Sequence, residues 1–132
     1  MTIYLPDTNI LVDALNHKRG RRELLRKLVL EGNRLACCDV TVAEVYSGMW
    51  PHEAPRTDSF VSSLVWYESS LSIARRAGRL RFEYARKGMT LSVSDTLIAA
   101  TALEHGLTLI TQTRKHFPMP ELSLHPMPGE IA

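Results

Sequence analysis

The sequence lacks most features that mark secreted, disulfide-bonded or membrane-spanning proteins. Among its 132 residues there are two cysteines, Cys37 and Cys38, and they are adjacent. Adjacent cysteines are poorly placed to form an ordinary disulfide with each other, and no third cysteine is available. No apolar run approaches the roughly 20 residues of a membrane-spanning helix, and no basic leader precedes an apolar stretch at the start. The sequence therefore predicts a cytoplasmic protein with no signal peptide and no membrane segment.

Net charge is also low. At +2 with neutral histidines, it gives by itself no indication of a nucleic-acid partner. The basic residues are nevertheless concentrated in stretches 18–27 and 75–87, each with six Lys or Arg and one Glu. Such stretches are usually solvated helix faces, and the alternative is contact with a phosphate backbone. On that alternative the candidate contacts are Arg22, Arg75, Arg76 and Arg79.

The apolar residues, 45% of the chain, are enough for one folded domain over residues 1–132. Short apolar runs at 3–5, 35–38 and 107–110 predict buried strands, whereas 51–58 reads as a loop and 59–67 is ambiguous. Apolar residues recur at helical spacing elsewhere, over 8–15, 20–31, 42–49, 71–88 and 95–105, and the proline-rich tail leaves room for a short edge strand near 122–124. This alternation predicts a three-layer α/β/α fold around a central parallel sheet.

Three acids fall where strands end or helices begin. Asp7 ends the first strand, Glu44 follows the second strand, and Asp95 opens the helix before the third. In parallel sheets such junctions can meet at one edge, where ligands bind. Clustered carboxylates repel each other and need a cation, and hard oxygen ligands select Mg²⁺ or Mn²⁺. A metal-bound water could then act as a nucleophile on a phosphate.

Helix capping is the alternative explanation for the same acids. Asp is favoured at helix starts, because its carboxylate accepts backbone N–H bonds. Thr41 and Glu44 have the spacing of a capping box, and Ser94 followed by Asp95 is a typical helix start. Spacing alone does not decide between a cap and a metal ligand.

Four stretches, in order along the chain, resemble the motifs of PIN domains, and most closely those of the VapC toxins. They are Pro6-Asp7-Thr8-Asn9-Ile10-Leu11-Val12-Asp13, similar to the "DTN" opening; Thr41-Val42-Ala43-Glu44-Val45 followed by Gly48; Ser94-Asp95-Thr96-Leu97-Ile98-Ala99-Ala100-Thr101-Ala102; and Leu109-Ile110-Thr111-Gln112-Thr113-Arg114-Lys115-His116-Phe117. Any one of these motifs is weak, and the four together are specific because they keep the family's order over most of the chain.

The resemblance implies a PIN-like fold and an endoribonuclease toxin that cleaves structured RNA such as tRNA or rRNA. It also implies dependence on Mg²⁺, with Mn²⁺ as a substitute metal. It carries the catalytic and metal-binding roles onto Asp7, Glu44 and Asp95. It also implies a homodimer and a VapB-like antitoxin that blocks the site.

The sequence departs from the family at Thr113, where many members have an acid or Asn. A hydroxyl is a poor direct Mg²⁺ ligand but can orient a bound water. The same supporting role is expected of Thr8, Asn9 and Thr111, while His116 is expected to be structural or solvated. The departure leaves open a catalytically silent PIN-like module that binds RNA or protein. A different phosphate enzyme is disfavoured, because the chain has no Gly-rich phosphate loop and no D-x-D pair.

Overall fold

The central element of the computed structural model, which describes residues 1–127, is a five-stranded sheet. Its strands lie in the order β3-β2-β1-β4-β5, and every neighbouring pair is parallel. They are β1 (Ile3–Pro6), β2 (Arg34–Cys38), β3 (Val65–Tyr67), β4 (Thr108–Ile110) and β5 (Ser123–Leu124). The parallel sheet is confirmed, and β5 is the short edge strand expected in the tail. The sequence predicts a single domain over residues 1–132, of which residues 128–132 lie outside the described range.

Six helices connect the strands. They are α1 (Thr8–Leu15), α2 (Arg21–Leu30), α3 (Asp39–Ser47), α4 (Ala54–Ser62), α5 (Leu71–Arg86) and α6 (Val93–His105), with 3₁₀ turns at Pro51–Glu53 and Arg114–His116. The loop predicted over 51–58 is wrong, because this segment forms the first 3₁₀ turn and the start of α4. Both prolines lie in the first turn of their helices, where a missing N–H leaves no hydrogen bond unmade. The ambiguous stretch 59–67 divides into the end of α4 and β3.

Alternate side chains of the strands enter two separate cores. Leu5 and Leu109 face one side of the sheet and pack with buried residues of α5 and α6, such as Leu80 and Ile98. Tyr4, Leu35 and Ile110 face the other side, where they pack with α1, α2 and part of α4 through Ile10, Ala14, Leu25, Leu28 and Phe60. The three-layer arrangement is therefore confirmed, with helices over both faces of the sheet.

The register of the central strands brings their carboxyl ends level. Leu5 lies opposite Leu109 and Pro6 opposite Ile110, so the residues that follow β1 and β4 are neighbours. Those residues are Asp7 and Thr111. The sheet thus places two of the predicted site residues side by side at its carboxyl edge.

Two expectations from composition are tested within residues 1–127. No helix in this range is long and apolar enough to cross a membrane. Cys37 and Cys38 both lie at the end of β2, buried and free of any disulfide.

Candidate active site

Asp7 is held at the carboxyl edge of the sheet by both of its carboxylate oxygens. The backbone N–H of Asp7 donates to the Ile110 carbonyl at 2.9 Å, which ties the residue to β4. Oδ1 accepts from the Ile10 N–H at 3.3 Å and so caps α1, while Oδ2 accepts from the Thr111 hydroxyl at 2.5 Å. The capping explanation is therefore correct for one oxygen, and the second oxygen is positioned by a side chain 104 residues away.

The Asp7 carboxyl lies in an environment that disfavours its charge. Only 6% of the residue is exposed, and this burial raises the pKa of Asp7 above its ordinary value. The hydrogen bond from Thr111 opposes the shift, and the negative charge of Asp95 adds to it. The Asp95 carboxylate therefore acts on Asp7 through its charge. A cation between the two carboxylates would offset both the desolvation penalty of the buried Asp7 charge and its repulsion by Asp95.

Glu44 is brought to the same edge by a hydrogen bond rather than by a capping box. Helix α3 begins at Asp39 with Cys38 as its cap, and the Thr41 hydroxyl accepts from the Cys38 N–H at 3.1 Å. The prediction that Thr41 caps the helix and Glu44 reaches back to it is wrong, because α3 begins directly after β2. Glu44 instead accepts a hydrogen bond from the Thr8 hydroxyl at 2.6 Å, next to Asp7 in the chain.

Asp95 lies in the first turn of α6. The cap is Ser92, whose Oγ accepts from the Asp95 N–H at 3.0 Å, so the helix start predicted at Ser94 is wrong by two residues. The Asp95 carboxylate is therefore free of capping. Its Oδ2 lies 3.4 Å from Nδ1 of His116, which forms an ion pair when the imidazole is protonated. His116 follows β4 in a 3₁₀ turn and is half exposed.

The threonines after β4 form a short chain of hydrogen bonds that ends on Asp7. Thr113 donates its backbone N–H to the Thr111 hydroxyl at 3.1 Å, and the two hydroxyl oxygens lie 3.2 Å apart. The Thr113 hydroxyl therefore lies next to the Thr111 hydroxyl that donates to Asp7. Asn9 contributes its backbone N–H to Asp7, whereas its exposed side chain lines an adjacent cavity.

The donor set at this edge fits a hard divalent cation in chemistry. Its oxygens belong to three carboxylates, and the buried, electrostatically repelled Asp7 is the group that a cation would stabilise most. In the range 1–127, no three His, Cys, Asp or Glu side chains are arranged as a ready-formed metal site. Two of the three acids are instead held by hydroxyls, Asp7 by Thr111 and Glu44 by Thr8.

The arginines predicted to contact RNA lie outside this cluster. Arg22 donates toward His17 and lines a groove between α2 and α4. Arg76 pairs with Glu104 at 3.1 Å. Glu104 lies nine residues after Asp95 on α6, which is about 14 Å along the helix at 1.5 Å per residue. Arg75 and Arg79 are exposed on α5. Their contact with RNA stays a prediction.

Sequence reasoning missed Arg21, which is buried beside the site. Residues 21, 24, 25 and 28 share one face of α2, and that face packs into the core through Leu25 and Leu28. The helical spacing therefore contained the signal. It was obscured by the basic composition of the stretch 18–27, which suggested a solvated surface.

Comparison with known proteins identifies the family of this chain. The sequence pattern described as PIN domain matches residues 4–117. Ribonuclease VapC19 of Mycobacterium tuberculosis is 34% identical over 115 residues, covering 87% of this chain and 92% of that protein.

Two solved structures have the same fold. One is the crystal structure of VapBC2 from Rickettsia felis bound to a DNA fragment from their promoter, with a TM-score of 0.80 and 30% identity over 94% of this chain and 98% of that one. The other is a toxin–antitoxin complex from Klebsiella pneumoniae, with a TM-score of 0.78 and 33% identity over 97% and 99% of the two chains. The chain described here belongs to the PIN domain family, within the group of the VapC proteins.

Proposed function

We propose that this protein is a metal-dependent endoribonuclease, the toxin of a toxin–antitoxin pair. The observation that carries the proposal is the buried Asp7 carboxylate, held by Thr111 and repelled by Asp95 at the carboxyl edge of a PIN-domain sheet. The similarity to proteins named ribonucleases supports RNA as the substrate. Among RNAs, we propose structured targets such as tRNA or rRNA.

Asp7, Glu44 and Asp95 would hold the cation, Mg²⁺ or in its place Mn²⁺. When bound, it would activate a water and offset charge on the phosphodiester. Thr111 favours the ionised form of Asp7, because its hydrogen bond opposes the rise in pKa that burial causes. Thr8 orients Glu44, and Thr113 and Asn9 would bond to waters of the ion.

RNA cleavage measured with and without a divalent metal tests the proposed activity. The purified chain, free of antitoxin, is incubated with RNA in Mg²⁺, in Mn²⁺ and in a chelator. We expect discrete fragments with either metal and none with the chelator. Equal cleavage in the chelator would contradict a metal-dependent reaction. A folded chain that binds RNA without cutting it in either metal would support the silent binding module, which the ribonuclease relatives do not favour.

We propose a VapB-like antitoxin as the protein partner, because the similar structures include VapBC2 and a toxin–antitoxin complex. An apolar groove of about 590 Å³ between α2 and α4 would accept its side chains. The groove is lined by Leu25, Val29, Leu30 and Phe60 and is flanked by the basic side chains of Arg22, Arg26 and Arg56. Val29 is 48% exposed and Leu30 is 76% exposed, and in this groove they form a contiguous apolar patch of the kind that marks protein-interaction sites.

The homodimer implied by the resemblance is also a proposal. Light scattering of the antitoxin-free chain tests it: a mass of twice 14.9 kDa is expected, and a mass of 14.9 kDa at all concentrations would contradict it.

A further inference from the structure

A tight turn between α1 and α2 folds two arginines back over Asp13. His17 and Arg19 both have a φ of 54° and Gly20 has 67°, so three of four consecutive residues are left-handed. Within this turn, the Lys18 N–H donates to the Asp13 carbonyl at 2.8 Å. The Arg19 guanidinium lies 2.9 Å from one carboxylate oxygen of Asp13, and Nε of Arg21 lies 3.7 Å from the other.

Arg21 is buried without a full set of partners. The residue is 7% exposed, and its Nε is the buried side-chain nitrogen that has no hydrogen-bond acceptor among residues 1–127. The 3.7 Å distance to Asp13 is too long for a hydrogen bond. A buried charged donor without an acceptor destabilises a fold unless something else satisfies it. Charge attraction to Asp13 therefore holds the guanidinium in place, and its Nε–H makes no hydrogen bond among the described residues.

Arg21 lines a cavity of about 490 Å³ that adjoins the carboxylate site. Its polar lining consists of Asn9, Asp13, Arg19, Arg21, Gln112 and Thr113. Thr113 joins the cavity to the site, because it contacts Thr111, which donates to Asp7. Asn9 lies two residues after Asp7 at the same boundary.

We propose that this cavity binds a phosphodiester group of the RNA chain next to the one that is cleaved, with Arg21 as its principal ligand. The inference rests on the proposed function and adds a substrate-binding subsite to it. Two arginines against one carboxylate leave the lining with one excess positive charge, which one phosphodiester neutralises. A guanidinium offers parallel N–H donors that match two phosphate oxygens, and Gln112 and Thr113 supply neutral donors at the rim.

The position of the cavity favours RNA over an acidic protein segment. A nucleic acid bound at the three carboxylates has a second phosphate one nucleotide away. The Arg21 cavity is the positively charged pocket next to those carboxylates, so it can receive that phosphate. Arg21 itself contacts none of the predicted metal ligands in the described structure. It is therefore a binding residue, whose loss should weaken RNA affinity without abolishing the chemistry.

The test measures RNA binding in an Asp95→Asn background, which suppresses turnover, by fluorescence anisotropy with Mg²⁺. The probes are a short RNA hairpin that the parent chain cleaves in its single-stranded loop and a set in which one loop phosphodiester at a time is a neutral methylphosphonate. We expect Arg21→Gln to lower affinity by about tenfold, as for a lost charged hydrogen bond, and to reduce the salt slope by about 0.7. The methylphosphonate at the phosphate that Arg21 contacts should weaken binding by the Asp95→Asn chain. The same probe should not weaken binding by the chain that also carries Arg21→Gln.

Arg34→Gln is the matched control, because Arg34 is exposed at the amino end of β2, on the opposite edge of the sheet. It should keep the sensitivity to that methylphosphonate. An Arg21→Gln chain with unchanged affinity and an unchanged methylphosphonate profile would overturn the proposal, as would a loss of antitoxin binding alone. If Arg21→Gln does not fold, Arg19→Gln, which is on the exposed side of the same cavity, must show the effect. Cleavage by the unsubstituted chain is measured in parallel, and its absence would instead overturn the proposed function.

Discussion

Thr111 donates its hydroxyl hydrogen to Oδ2 of Asp7 at 2.5 Å, across the carboxyl ends of two adjacent parallel strands. The bond joins residues that the sequence separates by 104 positions. Both side chains are almost fully buried, Asp7 at 6% and Thr111 at 1% exposure. This relationship fixes one carboxylate oxygen and opposes the rise in its pKa. The proposed role of Asp7 as a metal ligand depends on this hydrogen bond.

Replacing Thr111 with Val removes the hydroxyl while keeping the shape. We expect RNA cleavage to fall by about 10- to 100-fold, the usual effect of losing a group that orients a metal ligand. Because the hydrogen bond lowers the pKa of Asp7, its loss raises that pKa. The acid limb of the pH–rate profile should therefore move to higher pH.

Two variants control for burial and for side-chain size. Thr111→Ser should restore most of the activity. Thr101→Val alters a threonine that is also buried but donates to Leu97 within α6, and it should leave the pH profile in place. A Thr111→Val chain with an unshifted acid limb would contradict the role given to this hydroxyl.

Asp7→Asn should make the protein more stable at neutral pH while abolishing cleavage. Burial raises the pKa of Asp7 in the folded chain, so the charged carboxylate destabilises the fold above that pKa. As pH falls through the raised pKa, the folded chain takes up a proton and the penalty disappears. The difference in melting temperature between variant and parent should therefore shrink on acidification. A variant that melts below the parent at neutral pH would show that the charge is compensated in the free protein.

Arg75 and Arg79 test whether α5 contacts the RNA backbone. Both are exposed, whereas Arg76 between them pairs with Glu104. Replacing both with Gln should weaken RNA binding uniformly across sequences and lower the salt slope by about 0.7 for each lost phosphate contact. An unchanged slope would assign this stretch to a solvated face, the other interpretation of its charge.

The groove between α2 and α4 is tested with Leu30→Asp. A charge at this exposed apolar position should weaken antitoxin binding by about tenfold or more and leave RNA cleavage intact. Leu71→Asp is the matched control, because Leu71 is 65% exposed on a different helix. Equal losses of antitoxin binding in both variants would contradict the assignment of the groove.

The sequence predicted those features that depend on periodicity and on the topology of parallel sheets. Short apolar runs identified the three central strands, and the observed pairing of β1 with β4 then places Asp7 beside Thr111. Helix starts were predicted less well. Ser92 has an acid three residues later and its hydroxyl accepts from the Asp95 N–H, so Ser92 and not Ser94 caps α6.

Two further features were hidden by composition. Helix α4 carries a proline in its first turn, where it is tolerated, and prolines elsewhere usually indicate loops. Arg21 belongs by spacing to the apolar face of α2, but its basic neighbours suggested solvent. The hydrogen bond from Thr8 to Glu44 depends on how α1 and α3 pack, which no local pattern encodes.

The central claim is that the carboxylates at the edge of the sheet cleave RNA, and Asp95→Asn tests it most directly. The variant, the parent chain and an Asp58→Asn control, which changes an exposed carboxylate on α4, are incubated with a pool of total tRNA and rRNA in Mg²⁺. We expect the parent and Asp58→Asn to give the same discrete fragments and Asp95→Asn to give none. Fragments of equal yield from Asp95→Asn would contradict the site proposed here.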